Sequence, residues 1–559
     1  MKKKWFLYLT GFFCGMSVMA IEIGAQRLLA PYFSSSQIVW TIVIGVIMIS
    51  MAIGNVLGGK MADKHKDPKR LFIFLFLAAI WTALIPLVGK FVISGIALLL
   101  ALFVTNGYLI WAATISCLVV FVFPLLILGM VTPNLVKFTV TDEKESGKTV
   151  GVIEALNTIG SILGTFLPTF GFIPFIGTAL TFIIFASILF IICLIFVILT
   201  LIQKKKDMNG IKPSEEDKKQ DIKKIVKTTC LSLAALSSLS SGFVSRKISS
   251  AYWQNNVIYE SESIYNYIRV EETSSSIILS TNVLFGVQSI MMKDPEDFSG
   301  MYFEYALTSP YLVDKDEPLD ICILGLCTGT FASKCYQFFP NCNIDGVEID
   351  GKIVDVAYKY FNLSSKVNVY INDGRSFIDH TDKKYDVIMV DAYKDVTIPF
   401  QMSSDEFFKS CASHLKEGGN MVCNFNMASS KKDSINDYLA STITRSFNNV
   451  YLALLPGSTN SILLASNSYD IKERLSSVIA NYPSTSNKKV LNVLNYVNSH
   501  AEKYEYKGYY LTDDKAPVEL LGVKVLDELI NNELSYYHEL IKGKSLKELF
   551  EMLLNGELF

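Results

Sequence analysis

The stretch DICILGLCTGTFASKCY, Asp320 to Tyr336, decides the fold. Five residues with an apolar core (DICIL) read as a strand, GLCTGT as a glycine turn, and FASKCY as the start of a helix. The same grammar repeats downstream. NIDGVEID (343–350) is a second strand ending at Glu348 and Asp350, and VNVYINDGRSFI (367–378) is a third ending at Asn372-Asp373-Gly374. YDVIMVDAYKD (385–395) is a fourth ending at Asp391, and HLKEGGNMVCNF (414–425) a fifth entered through Gly418-Gly419. Apolar strand, turn and helix in alternation predict a Rossmann-like α/β domain with a largely parallel sheet.

In this reading Gly, Glu, Asp and Asp stand at the carboxyl ends of four successive strands, the edge where open α/β sheets bind ligands. Gly325 and Gly329 let backbone approach a ligand's tail. Glu348, about 20 residues on, suits two ribose hydroxyls. Asp373, with Gly374 beside it, can accept from an adenine amino group. Together they describe a site for an adenosyl-sulfonium compound. Each acid taken alone is equally well a solvated strand end.

Composition divides the chain. Of 559 residues 50% are hydrophobic, and mean hydropathy is +0.34. The apolar excess lies before about residue 203. Runs of the length that crosses a bilayer, about 20 residues at about 1.5 Å rise each, fall at 5–31, 38–58, 71–88, 91–105, 108–131, 151–172 and 178–202. The first run is too long for a signal-peptide core, so it is read as a retained span. Lys2, Lys3 and Lys4, with Lys60, Lys64, Lys66, Lys69 and Arg70, face the cytoplasm by the positive-inside rule. Seven spans leave the second half outside; an eighth, Ser-rich candidate at 225–244 returns it to the cytoplasm. Glu22 and Arg27 lie in the first span, where ionisable groups are either functional or held by a neighbouring helix or interface. Gly151, Ala155, Gly160, Ser161 and Gly164 follow near-helical spacing and predict close helix packing.

A net charge of −2 offers nothing to a nucleic acid, so no nucleic-acid partner is expected. The 10 cysteines and 5 histidines are scattered without metal-ligand spacing, so no metal is expected. Between the two halves, 257–280 and 283–292 alternate as a small antiparallel sheet. The predicted domains are a membrane domain of about seven spans (1–202), a charged linker with the possible eighth span (203–245), a small β-domain (246–315), the Rossmann-like transferase domain (316–468) and a helical extension (469–559).

On these motifs, residues 257–465 resemble the spermidine/spermine synthase family, and the whole chain resembles its membrane-fused bacterial members. The family's Tyr-Gln pair is similar to Tyr265-Asn266, and its Tyr-His-Glu to Tyr302-Phe303-Glu304. FGVQS (285–289) resembles its Asp-Gly-Val-Gln segment, and Val390-Asp391-Ala392-Tyr393-Lys394-Asp395 its strand end VDSSDP. LPGSTNSILLAS (455–466) and LTDDKAPVE (511–519) look like segments of the fused members. The resemblance implies an aminopropyltransferase that uses decarboxylated S-adenosylmethionine, with ordinary S-adenosylmethionine as the alternative, and a small diamine acceptor. It also implies a homo-oligomer, as in soluble members. Asp391 is then the catalytic base, Asp395, Tyr265, Tyr302 and Glu304 bind the diamine, and Asn266 joins Gly325, Thr328, Gly329, Glu348, Asp373 and Gly374 around the co-substrate. One departure stands out. The family's first turn reads GGGDGG and its Asp holds the co-substrate's free amine; here Thr328 occupies that place. A methyltransferase on the same fold, or a transporter or polyamine sensor with a non-catalytic binding domain, are the alternatives.

Overall fold

The computed structural model describes residues 4–34, 36–65, 67–104, 106–140, 146–207, 232, 235–283, 287–315, 318–393, 398–426, 429, 432–541, 543–544 and 548. Contacts divide the chain into two units, Met1–Gln254 and Asn255–Phe559.

The first unit is helical: α1 (Lys4–Phe33), α2 (Gln37–Lys64), α3 (Lys69–Phe103), α4 (Tyr108–Gly129), α5 (Val131–Thr139), α6 (Ser146–Phe166), a π-helical turn at Leu167–Phe172, α7 (Ile173–Asp207) and α8 (235–245). Among the described residues, five helical stretches are long and apolar enough to cross a membrane. That differs from the seven predicted runs. Run 71–88 and run 91–105 as far as Phe103 form one helix, α3. Lys90, which falls between the two runs, sits inside α3 and donates from Nζ to the carbonyls of Ser245 (3.2 Å) and Ile248 (2.7 Å), where α8 ends. Runs 151–172 and 178–202 fall in one apolar stretch broken at Gly177, whose φ of 84° and ψ of 167° leave the helix.

The predicted eighth span, 225–244, lies partly outside the described residues. Its described end lies in α8, whose serines reach α3: Ser241 Oγ donates to Ala83 O and, one residue past the predicted span, Ser245 Oγ to Pro86 O, both at 2.7 Å. Such hydroxyls can join helices where water is absent. The small-residue series works as expected at Gly160 and Gly164, where a Cβ would strike the backbone of Phe12 and Met16 on α1. Ser161 Oγ adds a hydrogen bond to Gly15 O at 3.3 Å.

The second unit opens with an antiparallel sheet of β1 (Val257–Glu262), β2 (Tyr267–Glu272), β3 (Ser276–Ser280) and β4 (Ser289–Met292), as the alternation predicts. Short helices α9 (Tyr302–Tyr305) and α10 (Thr308–Leu312) lead to the doubly wound part. It runs β5 (Asp320–Leu324), α11 (Thr330–Phe338), β6 (Asn343–Glu348), α12 (Gly351–Tyr360), β7 (Asn368–Ile371), α13 (Gly374–His380), β8 (Tyr385–Val390), α14 (Asp405–Ser413) and β9 (Leu415–Phe425). Then follow α15 (Ile435–Ile443), β10 (Asn449–Leu454), β11 (Ser461–Ser466), α16 (Ile471–Ala480), α17 (Lys488–His500), β12 (Glu502–Lys503) and α18 (Val518–Ile541).

The large sheet has order β12-β10-β11-β9-β8-β5-β6-β7. Its β9-β8-β5-β6-β7 portion is parallel, and β10, β11 and β12 extend it antiparallel. Strand order reverses between β5 and β8, which makes their carboxyl ends the crevice for a ligand. Ile321, Val387, Ile388 and Met389 are fully buried along this seam. The small sheet is fastened by its own apolar cluster, Ile268, Val270 and Leu279 against Ile353, Val356 and Phe361 on and after α12.

Ile268→Ala should cost about 2–5 kcal/mol, the usual penalty for emptying a packed aliphatic site. A lowered melting midpoint of the detergent-solubilised protein would show it; an unchanged midpoint would mean that the small sheet does not depend on this cluster.

Candidate active site

The turn after β5 is shaped by three left-handed residues, Gly325 (φ 96°), Cys327 (φ 50°) and Gly329 (φ 77°). Gly325 and Leu326 both donate their N–H to Val347 O at 2.9 Å, tying the turn to β6. A Cβ on Gly325 would collide with the carbonyl of Asp391. Glycine is therefore required by crowding as well as by φ.

Glu348 ends β6 and turns back to this loop. Its Oε2 accepts from Cys327 N–H (2.9 Å) and its Oε1 from Asp350 N–H (3.0 Å). Burial pushes its carboxyl up to about 7, and those N–H bonds pull the other way. Asp350 caps α12 through Lys352 N–H at 3.1 Å, and its other oxygen accepts from Ser263 Oγ (2.5 Å) and Asn266 Nδ2 (2.9 Å). Asn266 is thereby brought from the β1–β2 loop to the end of β6. Asp373 caps α13 through Ser376 N–H (2.9 Å), with Gln401 Nε2 on its second oxygen (3.2 Å) and Gly374 buried behind it.

Asp391 follows β8 and donates its own N–H to Leu324 O at 2.8 Å. Its carboxylate receives Tyr302 Oη at 2.6 Å on Oδ2 and Asn424 Nδ2 at 2.9 Å on Oδ1. Burial pushes this carboxyl up to about 7, Tyr302 and Asn424 oppose the rise, and Glu348 adds to it. The Tyr302 hydroxyl is pushed upward by burial and by Asp391, so it stays protonated and donates. Burial likewise raises the Cys327 thiol, which leaves it protonated rather than nucleophilic. The Thr328 hydroxyl meets other hydroxyls: it shares hydrogen bonds with Ser289 and, at 3.1 Å, with Thr330, while Ser289 also bonds Thr330.

The segment that carries these residues matches a particular set of known proteins. Residues 304–466 match the spermine/spermidine synthase domain. A probable polyamine aminopropyl transferase of Bifidobacterium longum is 43% identical over 308 residues, 53% of this chain and 68% of that protein. The chain belongs to the polyamine aminopropyltransferase family. It is accordingly a transferase. The polyamine aminopropyltransferase of Vibrio vulnificus is 32% identical over 179 residues, 31% of this chain and 60% of that one. A probable spermidine synthase structure from Corynebacterium glutamicum aligns with TM-score 0.35 and 18% identity over 42% of this chain and 93% of its own.

Of the diamine-binding residues expected from the family, Tyr302 reaches Asp391. Tyr265 has an exposed side chain in the β1–β2 loop. Glu304, expected at the distal amine, is 1% exposed and closes its own loop, accepting from Ser299 N–H (2.6 Å), Ser299 Oγ (3.1 Å) and Gly300 N–H (2.7 Å). Asp395 lies outside the described residues. Sequence reading missed Asn424, although it ends an apolar strand just as Glu348 does. Asp350 was read as a strand end without a partner assigned, and Ser289 only as the last residue of FGVQS; Ser263 and Gln401 carry no signal of their own.

The ionisation of Asp391 should be visible in stability. Because burial raises its folded-state value above the unfolded one of about 3.9, the cost of holding the charge grows as pH climbs from there through about 7. Relative to wild type, Asp391→Asn should therefore melt at a higher temperature at pH 8 than at pH 5. A difference independent of pH would mean that Asp391 is solvated.

Proposed function

We propose that the chain is a membrane-bound aminopropyltransferase that moves the aminopropyl group of decarboxylated S-adenosylmethionine onto a diamine such as putrescine, on the cytoplasmic side. The observation that carries the reading is Asp391, a carboxyl near neutrality held by Tyr302 and Asn424 beside Gly325. The five apolar stretches support the membrane attachment.

Glu348 would take the ribose hydroxyls, Asp373 the adenine amino group, and Asn266 with the Gly325–Gly329 turn the ligand's tail. The backbone N–H groups now on Glu348 and the exposed rim at Asn372 suit a polar nucleoside there. A diamine arrives protonated, its pKa being near that of lysine, about 10. Ionised Asp391 holds the ammonium and accepts its proton, leaving a lone pair aimed at the carbon next to sulfur. The new C–N bond forms as the C–S bond breaks. The electron pair goes to sulfur, and neutral methylthioadenosine leaves. Tyr302 and Asn424 keep the carboxylate oriented, while Asp395 and Tyr265 are the groups left to meet the distal amine.

A second reading is favoured by the hydroxyl cluster of Thr328, Ser289 and Thr330, which offers no charge to a free ammonium. It is a methyltransferase that uses ordinary S-adenosylmethionine.

Purified protein incubated with putrescine and each sulfonium in turn separates the two. Methylthioadenosine together with spermidine is expected, and S-adenosylhomocysteine would overturn the first reading. In the productive assay kcat/KM should fall as pH drops below about 7, where Asp391 takes up its proton. Asp391→Asn should lower kcat by about 10²–10⁴; full activity would remove Asp391 from the chemistry.

A further inference from the structure

Asp391 is held on one side by a chain of side chains that reaches well beyond the reacting edge. β8 and β9 run parallel with Val390 opposite Cys423, so the next residues on each, Asp391 and Asn424, emerge side by side. β9 pairs antiparallel with β11, with Ile462 opposite Asn424, so Asn460, two residues earlier on the β10–β11 hairpin and on the same face, lies diagonally across from Asn424. Asn460 Nδ2 donates to Asn424 Oδ1 at 2.8 Å. Ser458 Oγ donates to Asn460 Oδ1 at 2.9 Å and accepts Asn460 N–H at 3.1 Å. The backbone of Asn424 is fixed as well, since Tyr393 Oη donates to its carbonyl at 2.6 Å and accepts Asn426 N–H at 2.8 Å.

Every side-chain donor in this series points the same way: Ser458 to Asn460, Asn460 to Asn424, Asn424 to Asp391. A primary amide has an acceptor end and a donor end of nearly equal size. Turned over, Asn424 would present its oxygen to the carboxylate and repel it. What prevents the turn is the occupied Oδ1, and Asn460 occupies it.

We propose that Asn460 is a positioning residue for the transfer reaction. By fixing the direction of the Asn424 amide it keeps a donor on Asp391 Oδ1 and sets the pH above which Asp391 is ionised. Ser458 supports Asn460 in the same sense. This rests on the role of Asp391 proposed above.

Two measurements test it. In the transfer assay, Asn460→Leu should move the acid limb of kcat/KM to higher pH by about one pH unit, the size expected for loss of a hydrogen bond to a charged group. Ser458→Ala should move it the same way by less. Acid limbs that coincide with wild type in both variants would overturn the proposal, and Ser458→Ala alone decides if Asn460→Leu does not fold. The second readout needs no turnover. In thermal melts at pH 8, Asn460→Leu should lower the midpoint more in the wild-type background than in Asp391→Asn, and the gap should narrow at pH 5. Equal losses in both backgrounds at both pH values would overturn the coupling. A protein that makes no methylthioadenosine yet shows this coupling would instead count against the aminopropyltransferase reading alone.

Discussion

The close approach of β5 and β8 at their carboxyl ends is the constraint on which the site depends. Leu324 pairs with Val390, and the next step of the ladder is Asp391 N–H on Leu324 O. Gly325 must then pass the Asp391 carbonyl with no side chain of its own. That contact turns the chain after β5 out of the sheet and into α11. It also stands the Asp391 carboxyl beside the turn, and the parallel neighbours on either side bring Glu348 and Asn424 to the same edge. A bulkier residue at 325 would force the two strands apart and dismantle all of these placements together.

Two carboxyls, Glu348 and Asp391, are both held near neutrality by burial; Glu348 adds to the reluctance of Asp391 to ionise, and Asp350 to that of Glu348. Such a pair works against the stability of the fold once charged, and the hydrogen bonds around it limit rather than abolish that cost. The donors are of different kinds. Backbone N–H groups serve Glu348 and so come with the fold, whereas Tyr302 and Asn424 serve Asp391 as side chains that can be lost one at a time. Neutral hydroxyls at Thr328, Ser289 and Thr330 bond one another beside the glycine turn.

Much of this was legible in the primary structure, for definite reasons. Strand ends show because apolar runs stop at a polar residue, so Glu348, Asp373 and Asp391 were found together with the glycine turn. Tyr302 came from the family resemblance. What failed to show was direction: nothing in the order of residues says that Glu304 folds onto Ser299 and Gly300, or that Tyr265 points outward. Pairings across long separations were equally hidden, since Asn460 meets Asn424 only through the register of β9 and β11. In the helical first unit, apolar length was easy to read, but the place of Lys90 within one long helix was not, because its acceptors at Ser245 and Ile248 lie more than 150 residues away in sequence.

The central claim is that transfer takes place at the β5–β8 edge with Asp391 facing the reacting nitrogen. A cryo-electron microscopy structure of the full chain with methylthioadenosine and putrescine bound tests it most directly. The account predicts the ribose hydroxyls on Glu348, the sulfur over the Gly325 turn, and one putrescine nitrogen within hydrogen-bond distance of Asp391. A nucleoside bound away from that edge, or a diamine whose nitrogens both avoid Asp391, would contradict it.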